Sequence, residues 1–206
     1  MIEKRHIALY INIVKNDTIM FRELYIKWLV WRRKAVDIWS KSEYPADVLS
    51  NLCSNGFRFD GMVCGSMEGF LQSLKQKDKD KQRQICQMKG KNAKKMTSTG
   101  WQTDQIVWWK SNPIDRQSAD YYSFVSAAYL AMCEQNERFR TALMSTRGMR
   151  LFHSRGEQSP FKTILTEHEL CQILTDLRDN YDKRDKHLGS IKIVFEEDGT
   201  EETVEG

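Results

Sequence analysis

Apolar residues recur three or four positions apart in several stretches of the chain, which is the spacing of a helix with one buried face. These stretches are 66–75, 81–96, 118–134, 136–143 and 166–177. At the start of the first stretch, Ser66 is a residue type that caps helix N-termini. In the last stretch, Thr166 and Glu169 have the spacing of a capping box. The pattern predicts a helix over each stretch.

Two different patterns follow one another at the N-terminus. Residues 6–14 are rich in β-branched side chains and predict a strand. Asp17 or Thr18 can then cap a helix. The apolar positions of this helix are Met20, Leu24, Trp28, Trp31 and Ala35. We expect the helix to lie on the domain, with its tryptophans as the packing surface.

Short β-hairpins complete the predicted architecture. Asp60-Gly61 interrupts an apolar segment at 57–64, and this dipeptide suits the positive φ angles of a tight turn. Asp198-Gly199 has the same setting within 190–204. The predicted fold class is therefore mainly α, with small β-hairpins.

The elements divide the chain into three predicted parts. Residues 1–48 form an N-terminal strand and helix packed on the core, and residues 49–180 form a helical domain. Residues 181–206 form a charged linker and an acidic C-terminal tail. Within the helical domain, residues 144–163 are expected to be mostly loop, with a short apolar piece at 151–152.

The composition excludes several classes of protein. The chain has 206 residues, 40% of them hydrophobic, with three prolines and 11 glycines, so it is neither collagen-like nor wholly disordered. Its length suits one domain with a real core. No apolar run approaches the roughly 20 residues that cross a bilayer, and no leader opens the chain. We expect a soluble, cytoplasmic protein with no membrane partner.

Cysteine and histidine usage indicates neither a disulfide framework nor a metal site. The five cysteines are an odd number and no pair has metal-ligand spacing, while the four histidines are equally dispersed. We therefore expect reduced, mostly buried thiols and no cofactor.

Charge is unevenly distributed, although the net charge is only +4. Residues 75–95 carry nine basic and two acidic side chains, a local +7, and residues 196–206 carry six acidic side chains and no basic one. One interpretation is a solvated helix face and an acidic terminus. The other is a surface that attracts phosphates, with the tail as an intramolecular competitor.

The helix predicted after Ser66 has a polar face beside its apolar one. Glu68, Gln72 and Lys75 follow one another at i, i+4 and i+7, so they share this face. Glu68 lies in the first turn, where the helix dipole favours an ionised carboxylate. Gly69 lowers helix stability by about 1 kcal/mol relative to alanine, which suits a place where another chain or a ligand approaches closely. The alternative is an ordinary exposed polar stripe.

Several segments together resemble the YbiA-like (NADAR) superfamily. They are Leu49-Ser50-Asn51, 57–61, 66–75, Gly90-Lys91-Asn92-Ala93-Lys94-Lys95 and Trp101, followed by Tyr129, Phe139, Leu143, Thr146 and Leu151. The resemblance extends from about residue 49 to residue 153. Three features depart from the family pattern. Gly69 replaces a histidine, His153 replaces a glutamate, and residues 157–162 contain no counterpart of an Asp-x-x-Trp-Gly segment.

The resemblance implies a compact, mainly helical fold and hydrolysis of an N-glycosidic bond. Family members act on phosphoribosyl intermediates of riboflavin synthesis or on ADP-ribose attached to guanine bases. By position, Glu68 is the key carboxylate. The ligand-binding positions carried over are Asn51, Gly69, Gln72, Lys75 and Trp101. The implied partner is a phosphorylated ribosyl or ADP-ribosyl molecule, including nucleic acid that carries ADP-ribose.

The chemistry needs further groups around the sugar. A carboxylate stabilises the positive charge that builds on the ring as the bond to nitrogen breaks, and a second group assists proton transfer. Asp115 and His153 are the candidates for this second group. Candidate groups for phosphates and for the base are Lys75, Lys91, Lys94, Arg116, Trp101, Trp108 and Trp109.

Structural roles remain open for several of these residues. At least one of Trp108 and Trp109 is expected in the core, Asp115 and Arg116 are candidates for pairing or capping near Ser118, and a lone His153 is more often structural. The second functional hypothesis is a non-catalytic nucleotide- or nucleic-acid-binding module that uses the basic 75–95 surface.

Overall fold

The computed structural model describes residues 19–188, and side chains up to residue 183. The helices are α1 (19–31), α2 (Ala46–Leu49), α3 (Met67–Ser73), α4 (Lys79–Cys86), α5 (Gly90–Lys94), α6 (Trp101–Asp104), α7 (Ala119–Gln135), α8 (Glu137–Met144) and α9 (Glu167–Leu188). The strands are β1 (Ala35–Asp37), β2 (Phe57–Phe59), β3 (Met62–Cys64), β4 (Ile106–Trp109), β5 (Asn112–Asp115) and β6 (Arg150–Phe152). The mainly α class with small two-stranded sheets is confirmed. The strand predicted at 6–14 and the hairpin predicted at 190–204 lie outside the described residues.

The core forms around α7, whose buried face contacts β2, β5, α8 and α9. The buried residues of this face are Tyr121, Val125, Ala128, Tyr129, Met132 and Cys133. The apolar face of α3 packs into the same cluster, with Phe70 and Leu74 fully buried. Burying one such side chain stabilises the fold by about 1.5–3 kcal/mol relative to leaving it exposed. No helix within residues 19–188 is long and apolar enough to span a bilayer.

Within residues 19–188, three two-stranded sheets lie around this core, and one of them brings distant segments together. The β2–β3 hairpin turns at Asp60 and Gly61, whose φ angles are 45° and 72°, as the sequence predicts. The β4–β5 hairpin was not predicted. The β1–β6 pair is parallel, and beyond it the Ile38 N–H donates to the Phe152 carbonyl at 2.8 Å. This pairing places residues 38–40 beside His153.

The structure confirms two of the helix N-termini that the sequence predicts. The Ser66 hydroxyl accepts a hydrogen bond from the Gly69 N–H at 3.0 Å and so caps α3. At the start of α9, the Thr166 N–H donates to Glu169 at 2.7 Å and the Glu169 N–H donates to the Thr166 hydroxyl at 3.1 Å. This is the predicted capping box.

The single helix predicted at 81–96 is two helices, α4 and α5, separated by residues 87–89. Close backbone packing explains the break. A Cβ on Gly69 would lie 2.7 Å from the carbonyl oxygens of Cys86 and Met88, and one on Gly90 would lie 2.1 Å from the Leu52 carbonyl oxygen. The chain turns where it meets these neighbours, which local periodicity does not reveal.

The prediction for the N-terminal helix is wrong about the face that packs. Trp28 and Trp31 are 52% and 75% exposed, whereas Ile26 and Leu29 are buried. Apolar residues lie on both sides of α1, so their spacing identifies a helix without identifying its inner face. Ala35 lies beyond the helix, in β1.

The C-terminal helix is longer than predicted. It continues past 177 to Leu188, so the beginning of the predicted charged linker is helical. The extension contains neither proline nor glycine, so it includes no helix-breaking residue. The division of the chain into three parts stays a prediction.

Candidate functional site

A cleft of about 230 Å³ lies between the start of α3, α5 and the segments that flank the β1–β6 pair. It is lined by Ile38, Trp39, Ser40, Ser50, Asn51, Leu52, Glu68, Lys94, His153, Arg155 and Leu170. Four residues predicted from the sequence meet here, namely Asn51, Glu68, Lys94 and His153. The cleft therefore combines a carboxylate, an amide, an imidazole and two cationic side chains.

The α3 N-terminus positions Glu68 through hydrogen bonds on both sides. The Glu68 N–H donates to the Asn51 carbonyl at 3.0 Å, and the Gln72 amide donates to Glu68 Oε1 at 2.9 Å. The Ser66 hydroxyl donates to the Met88 carbonyl at 3.0 Å and ties the cap to the α4–α5 connection. The half-buried carboxylate is thus oriented before any ligand binds.

Asn51 is oriented by a buried phenol. The Tyr129 hydroxyl donates to Asn51 Oδ1 at 2.6 Å. Burial raises the pKa of Tyr129 well above its ordinary value, while the bond to Asn51 opposes the rise. Tyr129 is therefore a neutral donor. Because Oδ1 accepts this bond, the amide NH₂ of Asn51 remains to donate within the cleft.

His153 is held at three points. Its Nδ1 lies 2.7 Å from the Ile38 carbonyl oxygen, and since a carbonyl only accepts, Nδ1 carries the hydrogen. The His153 backbone N–H donates to Glu167 at 3.1 Å. A Cβ on Gly156 would lie 2.6 Å from the ring carbon Cδ2, so this glycine permits close packing against the imidazole. Nε2 is left as the ring atom for proton exchange.

Two buried side chains, one on α3 and one on α6, each have a polar atom without a hydrogen-bond partner. Gln72 and Trp101 are 6% and 5% exposed, and Gln72 Oε1 and Trp101 Nε1 have no hydrogen-bond partner. The third such buried atom among the described residues is Asp47 Oδ1 on α2. A buried polar group without a hydrogen-bond partner lowers the stability of a fold by about 1–3 kcal/mol.

Lys75 lies near both Trp101 and Glu68. Its Nζ is 3.1 Å from the Thr97 hydroxyl and 5.9 Å from the centroid of the Trp101 ring. Burial lowers the pKa of Lys75, and the charge on Glu68 opposes this effect. Gln72 therefore contacts Glu68, Lys75 lies near Glu68, and Trp101 lies near Lys75, while none of the three lines the cleft itself.

Two other predicted site residues pack away from the cleft. Gly69 faces the backbone of α4, and its lack of a side chain permits this helix contact rather than a ligand contact. Trp109 is buried against Phe59, Phe70 and Phe124, with ring centroids 5.4–5.8 Å from its own. Its indole N–H donates to Asp60 at 2.7 Å.

Asp115 and Arg116 also lie outside the cleft and have local structural contacts. The exposed Asp115 accepts a hydrogen bond from the Gln117 N–H at 2.8 Å, just before α7. Arg116 is buried and forms two hydrogen bonds to Glu169, at 2.9 and 2.7 Å. Of the two candidates for the second group, only His153 reaches the cleft.

Sequence reasoning missed Trp39 and Arg155, which also line the cleft. The guanidinium carbon of Arg155 lies 3.7 Å from the centroid of the Trp39 ring. More than a hundred residues separate the two along the chain. The parallel β1–β6 pairing brings them together, and parallel pairing leaves no short-range turn signal.

Comparisons with known proteins agree with this architecture. The model of a family described as bacteriophage protein GP30.3 matches residues 43–179. An uncharacterized 17.1 kDa protein from the Gp30-rIII intergenic region of Enterobacteria phage T4 is 33% identical over 148 residues, 70% of this chain and 97% of that protein. The NMR structure of Escherichia coli YbiA matches with a TM-score of 0.51 at 16% identity, covering 75% of this chain and 88% of YbiA.

The YbiA match confirms the fold implied by the sequence resemblance. The family match covers the helices that carry Glu68, Gln72, Lys94 and Trp101, whereas α1 and residues 38–40 precede it. By its match over residues 43–179 and its T4 relative, this chain belongs to the bacteriophage GP30.3 family, on a YbiA-like fold.

Proposed function

We propose that the protein is an N-glycosidase-type hydrolase that acts on a ribosyl-nucleotide or ADP-ribosyl substrate, with Glu68 as its key carboxylate. The observation that carries the proposal is the convergence of Glu68 and His153 on one small cleft. The YbiA-like fold supports the same class of chemistry. The Gln72 side chain, which donates to Glu68 and has an Oε1 without a partner among the described residues, supports a polar ligand.

The reaction breaks the bond between the sugar carbon C1′ and a nitrogen of the base. The bonding electrons leave with the nitrogen, which takes up a proton from solvent, and positive charge spreads over C1′ and the ring oxygen. Glu68 stabilises this charge, while its bond from Gln72 keeps the carboxylate in place. The oxygen of a water molecule adds to C1′, and the His153 Nε2 accepts a proton from it.

The test is a product assay on purified protein. Ribosylated pyrimidine phosphates, ADP-ribose and ADP-ribosylated DNA are each incubated with the protein, and released base or ribose is measured by chromatography. Glu68→Gln should reduce turnover by about 100-fold to 1,000-fold, the typical loss when one preorganised electrostatic contact to the transition state is removed. His153→Gln should reduce turnover and alter its pH profile.

Glu137→Gln is the matched control. Glu137 is an exposed glutamate in the first turn of α8, as Glu68 is in the first turn of α3, but it does not line the cleft. Its variant should retain wild-type turnover. Full activity in Glu68→Gln, with an intact fold by circular dichroism, would rule out the proposed mechanism.

A second candidate function is binding of nucleotides or nucleic acid without catalysis. Exposed lysines lie along α4 and α5, and Lys77 Nζ is 4.6 Å from the centroid of Trp108. Such a surface pairs phosphates with cations and offers an aromatic face for a base. Binding of single-stranded DNA should then weaken steeply with salt and persist in Glu68→Gln. Deletion of residues 196–206 should strengthen it if the acidic tail competes.

A further inference from the structure

Trp39 and Arg155 form a stacked pair at the rim of the cleft. The proposed reaction assigns neither of them a role. Both line the cleft, and the Arg155 guanidinium carbon lies 3.7 Å from the Trp39 ring centroid. Arg155 and Lys94 are exposed, whereas Ile38 and Leu170 are buried. The two cations therefore lie at the rim of the cleft, and the apolar residues at its floor.

Within the described part of the chain, Arg155 differs from another stacked arginine in the hydrogen bonds of its guanidinium group. Among the residues whose side chains are described, Arg155 and Lys94 form no salt bridge and donate no side-chain hydrogen bond. Arg116 also stacks, 4.6 Å from the centroid of Tyr121, but its donors are bonded to Glu169 and to the Thr163 carbonyl. Stacking therefore fixes the plane of Arg155 while its N–H edge stays open to a ligand.

We propose that Arg155, held by Trp39, acts with Lys94 to bind a phosphate group of the ligand, and that these residues determine specificity for a phosphorylated sugar. The inference rests on the proposed function in placing the sugar at Glu68. A guanidinium presents a planar fork that matches two phosphate oxygens, and stacking on an indole lowers the entropy lost when the fork is engaged. The Glu68 carboxylate repels an anion, so the phosphate lies at the rim and the uncharged sugar lies inward.

The residues before the GP30.3 match therefore have a role in the site. Trp39 precedes the matched range, and the β1–β6 pair brings it over residues 153–155. Arg22 of α1 supports the same region, because it donates to Glu167 at 2.6 and 2.7 Å, and Glu167 accepts from the His153 N–H. This N-terminal part thus completes a wall of the cleft.

The test measures binding rather than turnover. Ribose 5-phosphate and ribose, neither of which contains an N-glycosidic bond, are titrated into the full-length wild-type protein and followed by isothermal titration calorimetry and by ¹H–¹⁵N chemical shifts. Ribose 5-phosphate should bind at least about tenfold more tightly than ribose, as expected for charge-assisted hydrogen bonds. Arg155→Ala should remove about tenfold of this preference and leave ribose binding unchanged. Trp39→Leu should produce a smaller loss in the same direction.

Arg32→Ala is the matched control. Arg32 is likewise an exposed arginine over a tryptophan, 5.9 Å from the Trp28 centroid, but it does not line the cleft. Its variant should keep the full preference for ribose 5-phosphate. Three results would each overturn the proposal. They are equal binding of the two sugars by the protein that retains Arg155, no detectable binding of ribose 5-phosphate, and an unchanged preference in Arg155→Ala. Phosphate-selective binding in a wild-type protein that hydrolyses no substrate would instead contradict the proposed reaction and leave the phosphate site standing.

Discussion

Two buried polar clusters in this molecule differ in how completely their hydrogen bonds are made. At the start of α9, Arg116, Glu169 and Thr166 bond to one another, and the Arg116 Nε also donates to the Thr163 carbonyl at 3.2 Å. Beside the cleft, Gln72 Oε1 and Trp101 Nε1 are buried without partners. A satisfied cluster stabilises the fold, whereas an incomplete one has donors and acceptors left for a ligand.

The comparison separates residues that sequence reasoning grouped together. Arg116 and Gln72 are both predicted ligand-binding residues, and both are buried. Their residue types alone do not distinguish them, but their hydrogen bonds do. Substitution in the first cluster should therefore affect stability, and substitution in the second should affect binding more than stability.

The largest expected effect on stability comes from Arg116→Ala. Glu169 would lose both bonds from the guanidinium, and its side chain is 19% exposed, so its charge would be left largely buried. Breaking such a pair typically lowers the free energy of unfolding by about 3–5 kcal/mol. Urea denaturation checks this. The control is Arg147→Ala, whose ion pair with Asp182 is 50% and 69% exposed and should contribute less than about 1 kcal/mol. Equal losses of unfolding free energy in the two variants would contradict the difference between the buried and the exposed ion pair.

A smaller loss is expected from Gly69→Ala on the packed face of α3. The added Cβ would lie 2.7 Å from two carbonyl oxygens, and backbone atoms cannot move aside as a flexible side chain can. Overpacking of this kind lowers the free energy of unfolding by about 1–3 kcal/mol, against the gain in helix propensity. Thermal unfolding measures the change. Thr141→Ala, at an exposed position of α8, should be neutral or stabilising, and the same result for Gly69→Ala would show that the two helices are not in tight contact.

Acidification should weaken the α9 cluster. Burial alone raises the pKa of Glu169, but its bonds from Arg116 and Thr166 outweigh this, and the pKa lies below its ordinary value. A carboxylate with a lowered folded-state pKa contributes stability above its unfolded pKa, which is about 4.3. That contribution is lost as the pH falls through the folded-state value. The free energy of unfolding, measured from pH 7 to pH 3, should fall less steeply in Glu169→Gln. An unchanged slope would mean that Glu169 does not contribute to acid sensitivity.

The smallest expected effect on the free energy of unfolding is the difference between two tryptophan substitutions. Trp101→Phe removes an indole N–H that has no partner, whereas Trp109→Phe removes one bonded to Asp60. Trp101→Phe should therefore destabilise the protein by about 1 kcal/mol less, the net contribution of one hydrogen bond. Paired urea titrations measure the difference. Trp101→Phe should also weaken ligand binding, and Trp109→Phe should not. The reverse order of stabilities would contradict the comparison.

The sequence predicted the parts of the site that depend on local spacing. Glu68 and Gln72 share a helix face because they are four residues apart, and the hydrogen bond between them follows from that spacing. The Ser66 cap and the Asp60-Gly61 turn are equally local. The helix penalty of Gly69 predicts close approach by another chain or by a ligand. The approach exists, but the neighbour is α4.

The local sequence pattern therefore determined the mainly helical class, the N-termini of the main helices and the helix face on which Glu68 lies. Hydrophobic periodicity and capping determine these features because both act over a few residues. The tertiary structure decided which side of α1 is buried, where residues 81–96 break, and which cations reach the cleft. The pairing of β1 with β6 joins residues 35–37 to 150–152, and this contact helps to bring His153, Trp39 and Arg155 beside Glu68. Such contacts depend on packing between segments far apart in the chain, and no short-range signal records them.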